Sequence, residues 1–97
     1  MMQPLKPDPR LQSLANRYVW WEGPAWAYQH PTVFLANLME MGTWEDIQIV
    51  RKILGDEVLK QVLKEAPPGY FHYRSWDYWH HKFHMTPIPP LPHRTFE

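Results

Sequence analysis

Apolar residues recur at helical spacing along most of the chain and alternate like a strand almost nowhere. Leu11, Leu14, Ala15, Tyr18 and Val19 share one face and predict a helix over 11–21. Gly23-Pro24 ends it, and Pro24 suits the first position of a short helical turn carrying Trp26 and Tyr28. Pro31 opens a further helix with Val33, Phe34, Leu38 and Met41 as its stripe, closed by Gly42. Thr43-Trp44-Glu45-Asp46 has the form of a capping box, with Asp46 where Glu or Gln is more usual. The helix it starts carries Ile47, Val50, Ile53 and Leu54 and stops at Gly55. Asp56 is the expected cap of the next helix, which places Val58, Leu59, Val62 and Leu63 on one face and ends at Ala66-Pro67-Pro68-Gly69. Connections of about two residues require these three helices to pack as neighbours.

A dense aromatic block follows: Tyr70, Phe71, Tyr73, Trp76, Tyr78, Trp79 and Phe83. Ser75 is placed to cap a helix over 76–84, and Asp77 sits in its first turn, where the helix dipole favours a carboxylate. Trp76, Trp79 and Phe83 fall on one side, ready to close over the three-helix centre. Pro4, Pro7 and Pro9 keep the first ten residues extended, and four prolines between 87 and 92 impose a polyproline-like tail. Only 70–73 alternates, and briefly. The expected fold is all-α: a single-domain bundle of four to five short helices over 11–85, with an arm over 1–10 and a proline-rich tail over 86–97.

Composition narrows the functions open to such a scaffold. The 97 residues include 10 Lys and Arg against 10 Asp and Glu, so neither a duplex held by bulk charge nor a polybasic membrane anchor fits. The longest mostly apolar stretch, 33–41, is about half a membrane span and is interrupted by Asn37 and Glu40. No basic start with a hydrophobic run and small-residue cleavage site appears, and the cytoplasm is the default compartment. Without cysteine there is neither a disulfide nor a thiolate zinc site.

Catalytic constellations are missing. Glu45 and Asp46 are adjacent, so they do not face each other on a helix, and capping accounts for both. Ser75 lies between Arg74 and Trp76 with no glycine elbow, and Gly42, Gly55 and Gly69 are too widely spaced to cradle a phosphate. The reading is of a protein that is not an enzyme and needs no cofactor. His72, His80, His81, His84 and His93 cluster late in the chain, and a helix would put His80 and His84 on one face. The Glu that a zincin places after its first His is replaced by His81, so the histidines read as boundary residues and no metal ligand is assigned. A histidine metal module stays open as an alternative. A DNA-binding regulator is another. The candidate recognition helix, however, opens on Asp56 and Glu57, which would meet phosphate unfavourably, and nucleic acid is disfavoured as a partner.

Aromatic excess is the more informative feature. Six tryptophans are hard to enclose in so small a core, and Trp, Tyr and Arg are enriched at interface centres. Trp20 and Trp21, as helix neighbours about 100° apart, cannot both point inward. Pro89-Pro90-Leu91-Pro92-His93-Arg94 has the PxxPxR form read by SH3-type grooves, against which stands a tail laid across Trp76 or Trp79 of its own domain. The candidate partner-binding residues are Arg74, Trp76, Tyr78, Trp79, His80, Trp20, Trp21, Pro90 and Pro92.

Taken together, Gly42-Thr43-Trp44-Glu45-Asp46, Leu54-Gly55, Arg74-Ser75-Trp76-x-Tyr78-Trp79-His80 and the Pro-Leu-Pro-x-Arg ending resemble a group of small prokaryotic helical proteins. The resemblance covers about residues 31–94. It implies an antitoxin-like companion of AbiEii-type nucleotidyltransferases, acting by direct contact with that larger enzyme. It brings no catalytic residues, and the pattern departs from the group's at His80-His81 and at the proline tail. A homodimer through the aromatic face is compatible with every one of these readings.

Overall fold

A computed structural model describes residues 2–92, and these form six helices and no strand. The helices are α1 (Pro9–Tyr18), α2 (Pro24–Gln29), α3 (Pro31–Met41), α4 (Trp44–Leu54), α5 (Asp56–Lys64) and α6 (Tyr73–Lys82). The all-α expectation holds, with one helix more than the upper count. Among the described residues no helix is long and apolar enough to cross a membrane.

α1 starts earlier than its apolar pattern suggests. The Asp8 carboxylate accepts from the backbone N–H groups of Arg10 and Leu11, and Pro9 takes the first helical position, where its missing N–H costs nothing. The helix also ends earlier, at Tyr18. Val19 is fully buried but leaves helical geometry (φ −135°, ψ 45°), and its carbonyl accepts from Glu22 and Gly23. Trp20 and Trp21 therefore stand on a turn and not on the helix.

α3 is the central element, packed against α1, α2, α4 and α5. Six consecutive residues, 34–39, are buried, so the helix is enclosed nearly all round. The expected stripe is only partly right: Phe34 and Leu38 are buried, Val33 is half-buried, and Met41 at the C-terminal end is 60% exposed. Gly55 has φ 86°, a left-handed conformation that favours glycine, and lets α4 turn into α5 across one residue. It also takes the cap position expected of Asp56. Asp56 is instead the first residue of α5, and its carboxylate accepts from Arg51 Nε at 2.6 Å and Nη2 at 3.0 Å.

α6 begins at Tyr73 with His72 as N-cap, so Ser75 lies inside the helix. The negative cap comes from across the fold. The Glu40 carboxylate of α3 accepts from the His72 backbone N–H at 2.6 Å and from the Ser75 hydroxyl, and His72 Nδ1 lies 3.1 Å from its other oxygen. The helix stops at Lys82, and His84 takes a left-handed conformation (φ 55°). His80 and His84 are thus not two rungs of one helix.

Both proline-rich ends lie on the helical body. Leu5 N–H donates to the Tyr28 carbonyl at 2.9 Å and Met2 N–H to Glu65 Oε1 at 3.0 Å. In the tail, the Pro89 carbonyl accepts from Trp76 Nε1 at 2.9 Å, which realises the expected packing of tail on Trp76. His93 and Arg94, the final residues of the PxxPxR pattern, lie outside the described residues.

Candidate functional site

The inner and outer sides of α6 have different roles. Trp76, Trp79 and Phe83 recur at helical spacing and are 3%, 2% and 7% exposed, so they close the core as their spacing predicts. Trp79 Nε1–H donates to the Met39 carbonyl of α3 at 3.2 Å, satisfying the one polar atom of a buried indole. His80 is 1% exposed, and its Nδ1 lies 2.7 Å from the Trp76 carbonyl. A carbonyl can only accept, so Nδ1 carries the proton. Trp76, Trp79 and His80 were candidate partner anchors; the structure spends all three on the protein's own interior.

The outer side carries Tyr73, Arg74, Asp77, Tyr78, His81 and Lys82, which line one shallow surface cavity. Tyr73 is 73% exposed and Tyr78 49%. Lys82 extends to α4, where its ammonium lies 4.9 Å from the centre of the half-exposed Trp44 ring, a cation–π contact. Asp77 and His81 face each other at 3.6 Å one turn apart.

Behind this surface the Arg51–Asp56 pair ties α4 to α5. The Arg51 guanidinium beside Asp56 holds its carboxyl below the usual carboxylate range against the opposing effect of burial, with Lys60 and Lys82 adding to the pull. Arg51 is shifted up chiefly by its hydrogen bond to Asp56, with a smaller effect from Tyr78. Tyr78 and Lys82 of α6 thus share an electrostatic neighbourhood with the α4–α5 junction. The result is a surface on which the exposed rings of Tyr73 and Tyr78 stand beside Arg74 and Lys82, with Trp44 joined to the C-terminal end of α6 through Lys82.

Of the other sequence candidates, Arg74 and Tyr78 belong to this surface. Trp20 (73% exposed) and Trp21 (50%) stand on the α1–α2 turn, with ring centres 5.9 Å apart in an edge-on contact. Pro90 is exposed and Pro92 half-buried on the tail. Tyr73, Lys82 and Trp44 escaped sequence reasoning. Starting α6 three residues earlier would have found Tyr73; Trp44 reaches the patch only by tertiary proximity to Lys82. Among the described residues no three His, Asp or Glu side chains converge as a metal site would require.

One polar cluster also went unforeseen. Asp46 is 6% exposed, and its carboxylate accepts from the Tyr18 hydroxyl and from Arg17 Nη1, both at 2.6 Å. Thr43 Oγ1 accepts from Asp46 N–H at 3.2 Å, and the Tyr18 oxygen accepts from Thr43 N–H at 3.3 Å. The capping box is therefore half realised: Thr43 caps α4 as expected, but the box's return bond to the Thr43 N–H comes from Tyr18. Asp46 is freed to join α4 to α1.

Compared with protein families, curated proteins and solved structures, the chain matches none.

Proposed function

We propose that this chain is a small, non-catalytic protein-binding module that contacts a larger partner through the outer face of α6 and the adjoining Trp44. The observation that carries the reading is the exposure of Tyr73, Tyr78 and Trp44 on a scaffold that buries Trp76, Trp79, Phe71 and Phe83 completely or nearly so. Large rings left on the surface among charges are the composition of an interface centre with a polar rim. Rigid aromatic side chains also lose little conformational entropy on contact. Arg74 adds a forked donor for a partner carboxylate, and Trp20 and Trp21 offer a second aromatic contact. The antitoxin-like reading supplies the class of partner, a nucleotidyltransferase-type enzyme, and rests on the resemblance of short motifs.

Co-expression with the product of the neighbouring gene tests this. The wild-type chain should co-purify with it and relieve any growth arrest it causes. A Trp44→Ala/Tyr73→Ala/Tyr78→Ala variant should keep its helical circular dichroism and lose co-purification, since truncating a central aromatic anchor costs about 2 kcal/mol or more. Separate elution of the wild-type proteins, or unchanged co-purification of the triple variant, sinks the proposal.

A further inference from the structure

The proline tail rests on a surface whose chemistry is that of a polyproline-binding groove. Trp76 forms its floor, backed by His80 with ring centres 4.3 Å apart. Leu63, Ala66 and Met85 contribute apolar walls. Ile88 and Leu91 of the tail pack against the core, while Pro89 and Pro90 keep their rings largely in solvent. Proline has no N–H, so a proline-rich strand offers a receptor only apolar rings and carbonyl oxygens. The body answers the carbonyls with donors, and takes its apolar contact from Ile88 and Leu91 between the prolines. The Trp76 indole N–H donates to the Pro89 carbonyl at 2.9 Å, and Gly69 N–H approaches the Pro92 carbonyl at 3.5 Å. These carbonyls are three residues apart, the repeat of a polyproline II helix, so both fall on the same side of such a segment. An aromatic platform with an indole donor aimed at a proline carbonyl is how polyproline readers hold their ligands.

We infer that this groove is a binding site for an extended proline-rich segment, that the chain's own tail is its resident ligand, and that the same segment on another polypeptide can replace it. The argument is independent of the contact face proposed for α6, since it concerns the inner side of that helix and the end of α5. The covalent link gives the tail an effective concentration on the order of millimolar, which an incoming segment must overcome. Residues 87–92 carry their apolar and acceptor groups in the sequence itself, so a partner needs only a comparable Pro-Pro-x-Pro stretch.

The test uses the full chain with its tryptophan indoles labelled for NMR, titrated with a synthetic peptide of residues 85–92 that carries a fluorophore at its N-terminus, so that anisotropy reads binding by every form. A second full-length form carries Pro89→Ala, Pro90→Ala and Pro92→Ala, which weaken the resident tail by restoring its unbound freedom. In the proline-substituted form the Trp76 indole resonance should shift saturably toward its wild-type position with peptide, while that of Trp20 stays in place. The proline-substituted form should bind about tenfold to a hundredfold more tightly than the wild type, because the competing tail is weakened by three proline replacements. A peptide with alanine at the three positions should bind about tenfold to a hundredfold more weakly, and Trp76→Phe should weaken binding by removing the indole donor, read from the anisotropy of the labelled peptide. No binding of the labelled peptide to either form, no Trp76 shift in the proline-substituted form, or equal affinity for the alanine peptide overturns the proposal. So does loss of helical circular dichroism in the triple variant, which would make the tail a part of the fold and not an exchangeable ligand.

Discussion

Replacing Asp46 examines how α1 is held to α4. In the native state its carboxylate is buried and serves as acceptor for the Tyr18 hydroxyl, itself on a residue only 7% exposed. Asp46→Ala leaves that hydroxyl hydrogen without a partner, and an unsatisfied buried donor costs about 1–3 kcal/mol. Arg17 is 59% exposed, so its ion pair is screened by water and adds little. Asp46→Asn keeps an acceptor for Tyr18 but loses the charge, and should cost about 1 kcal/mol. For a domain of this size, 1 kcal/mol corresponds to a fall in Tm of roughly 4–8 °C. The pH dependence is more discriminating. Burial pushes the Asp46 carboxyl up, but the Tyr18 hydroxyl, the Arg17 guanidinium and Thr43 outweigh it and hold it below the usual carboxylate range. A lowered native pKa stabilises the fold above the unfolded value of about 3.9, and that stability is lost as the pH falls through the native value. The gap between wild type and Asp46→Asn, measured by urea unfolding, should therefore be full at pH 7 and narrow below about pH 4. In a double-mutant cycle with Tyr18→Phe, the two residues should couple by at least about 0.5 kcal/mol. A gap that is the same at pH 3 and pH 7, or strict additivity in the cycle, would refute the reasoning.

Two further substitutions probe how the helix ends are built. Glu40→Ala removes the carboxylate that receives the His72 N–H and the Ser75 hydroxyl, and should lower stability by about 1–2 kcal/mol, with hydrogen exchange rising first in the first turn of α6. Ser75→Ala alone should cost less, because the His72 N–H bond survives. Gly42→Ala should destabilise by about 1–3 kcal/mol although its φ of −74° is ordinary, because the new Cβ would lie 2.3 Å from the Leu38 carbonyl oxygen. Gly23→Ala meets no atom within 4 Å and suffers only from its φ of 86°, at about 1 kcal/mol. Thermal unfolding of the two variants should rank Gly42→Ala as the more damaging.

Local chemistry made most of the helices legible. Pro24 and Pro31 at first helical positions, Gly55 and the Thr43 cap act within a few residues, and the elements they bound appear where expected; Pro9, read as part of the extended arm, instead opens α1. The buried sides of α4 and α5 also followed from spacing, because each helix has one apolar and one charged face. α3 defeated that method: a helix enclosed by other helices nearly all round has no polar side, so no stripe can be read from it. The start of α6 was misplaced for a different reason. Its cap is Glu40, 32 residues from His72, and a cap that comes from across the fold leaves no mark beside the helix it serves.

The candidate surface divides in the same way. Sequence established that more aromatic residues are present than a small core comfortably holds, and that Trp76, Trp79 and Phe83 share a side of their helix. It could not decide which rings would be left in solvent, because that depends on which face of α6 finds the carbonyl of Met39 and the apolar ends of α3 and α5. Helical periodicity sorts residues into faces, but only packing decides which face is wet. Asp46 is the clearest case. Its place beside a capping threonine is written in four adjacent residues, yet its partners Arg17 and Tyr18 lie 29 and 28 positions away. Only the docking of α1 on α4 turned a first-turn carboxylate into a buried tie between helices.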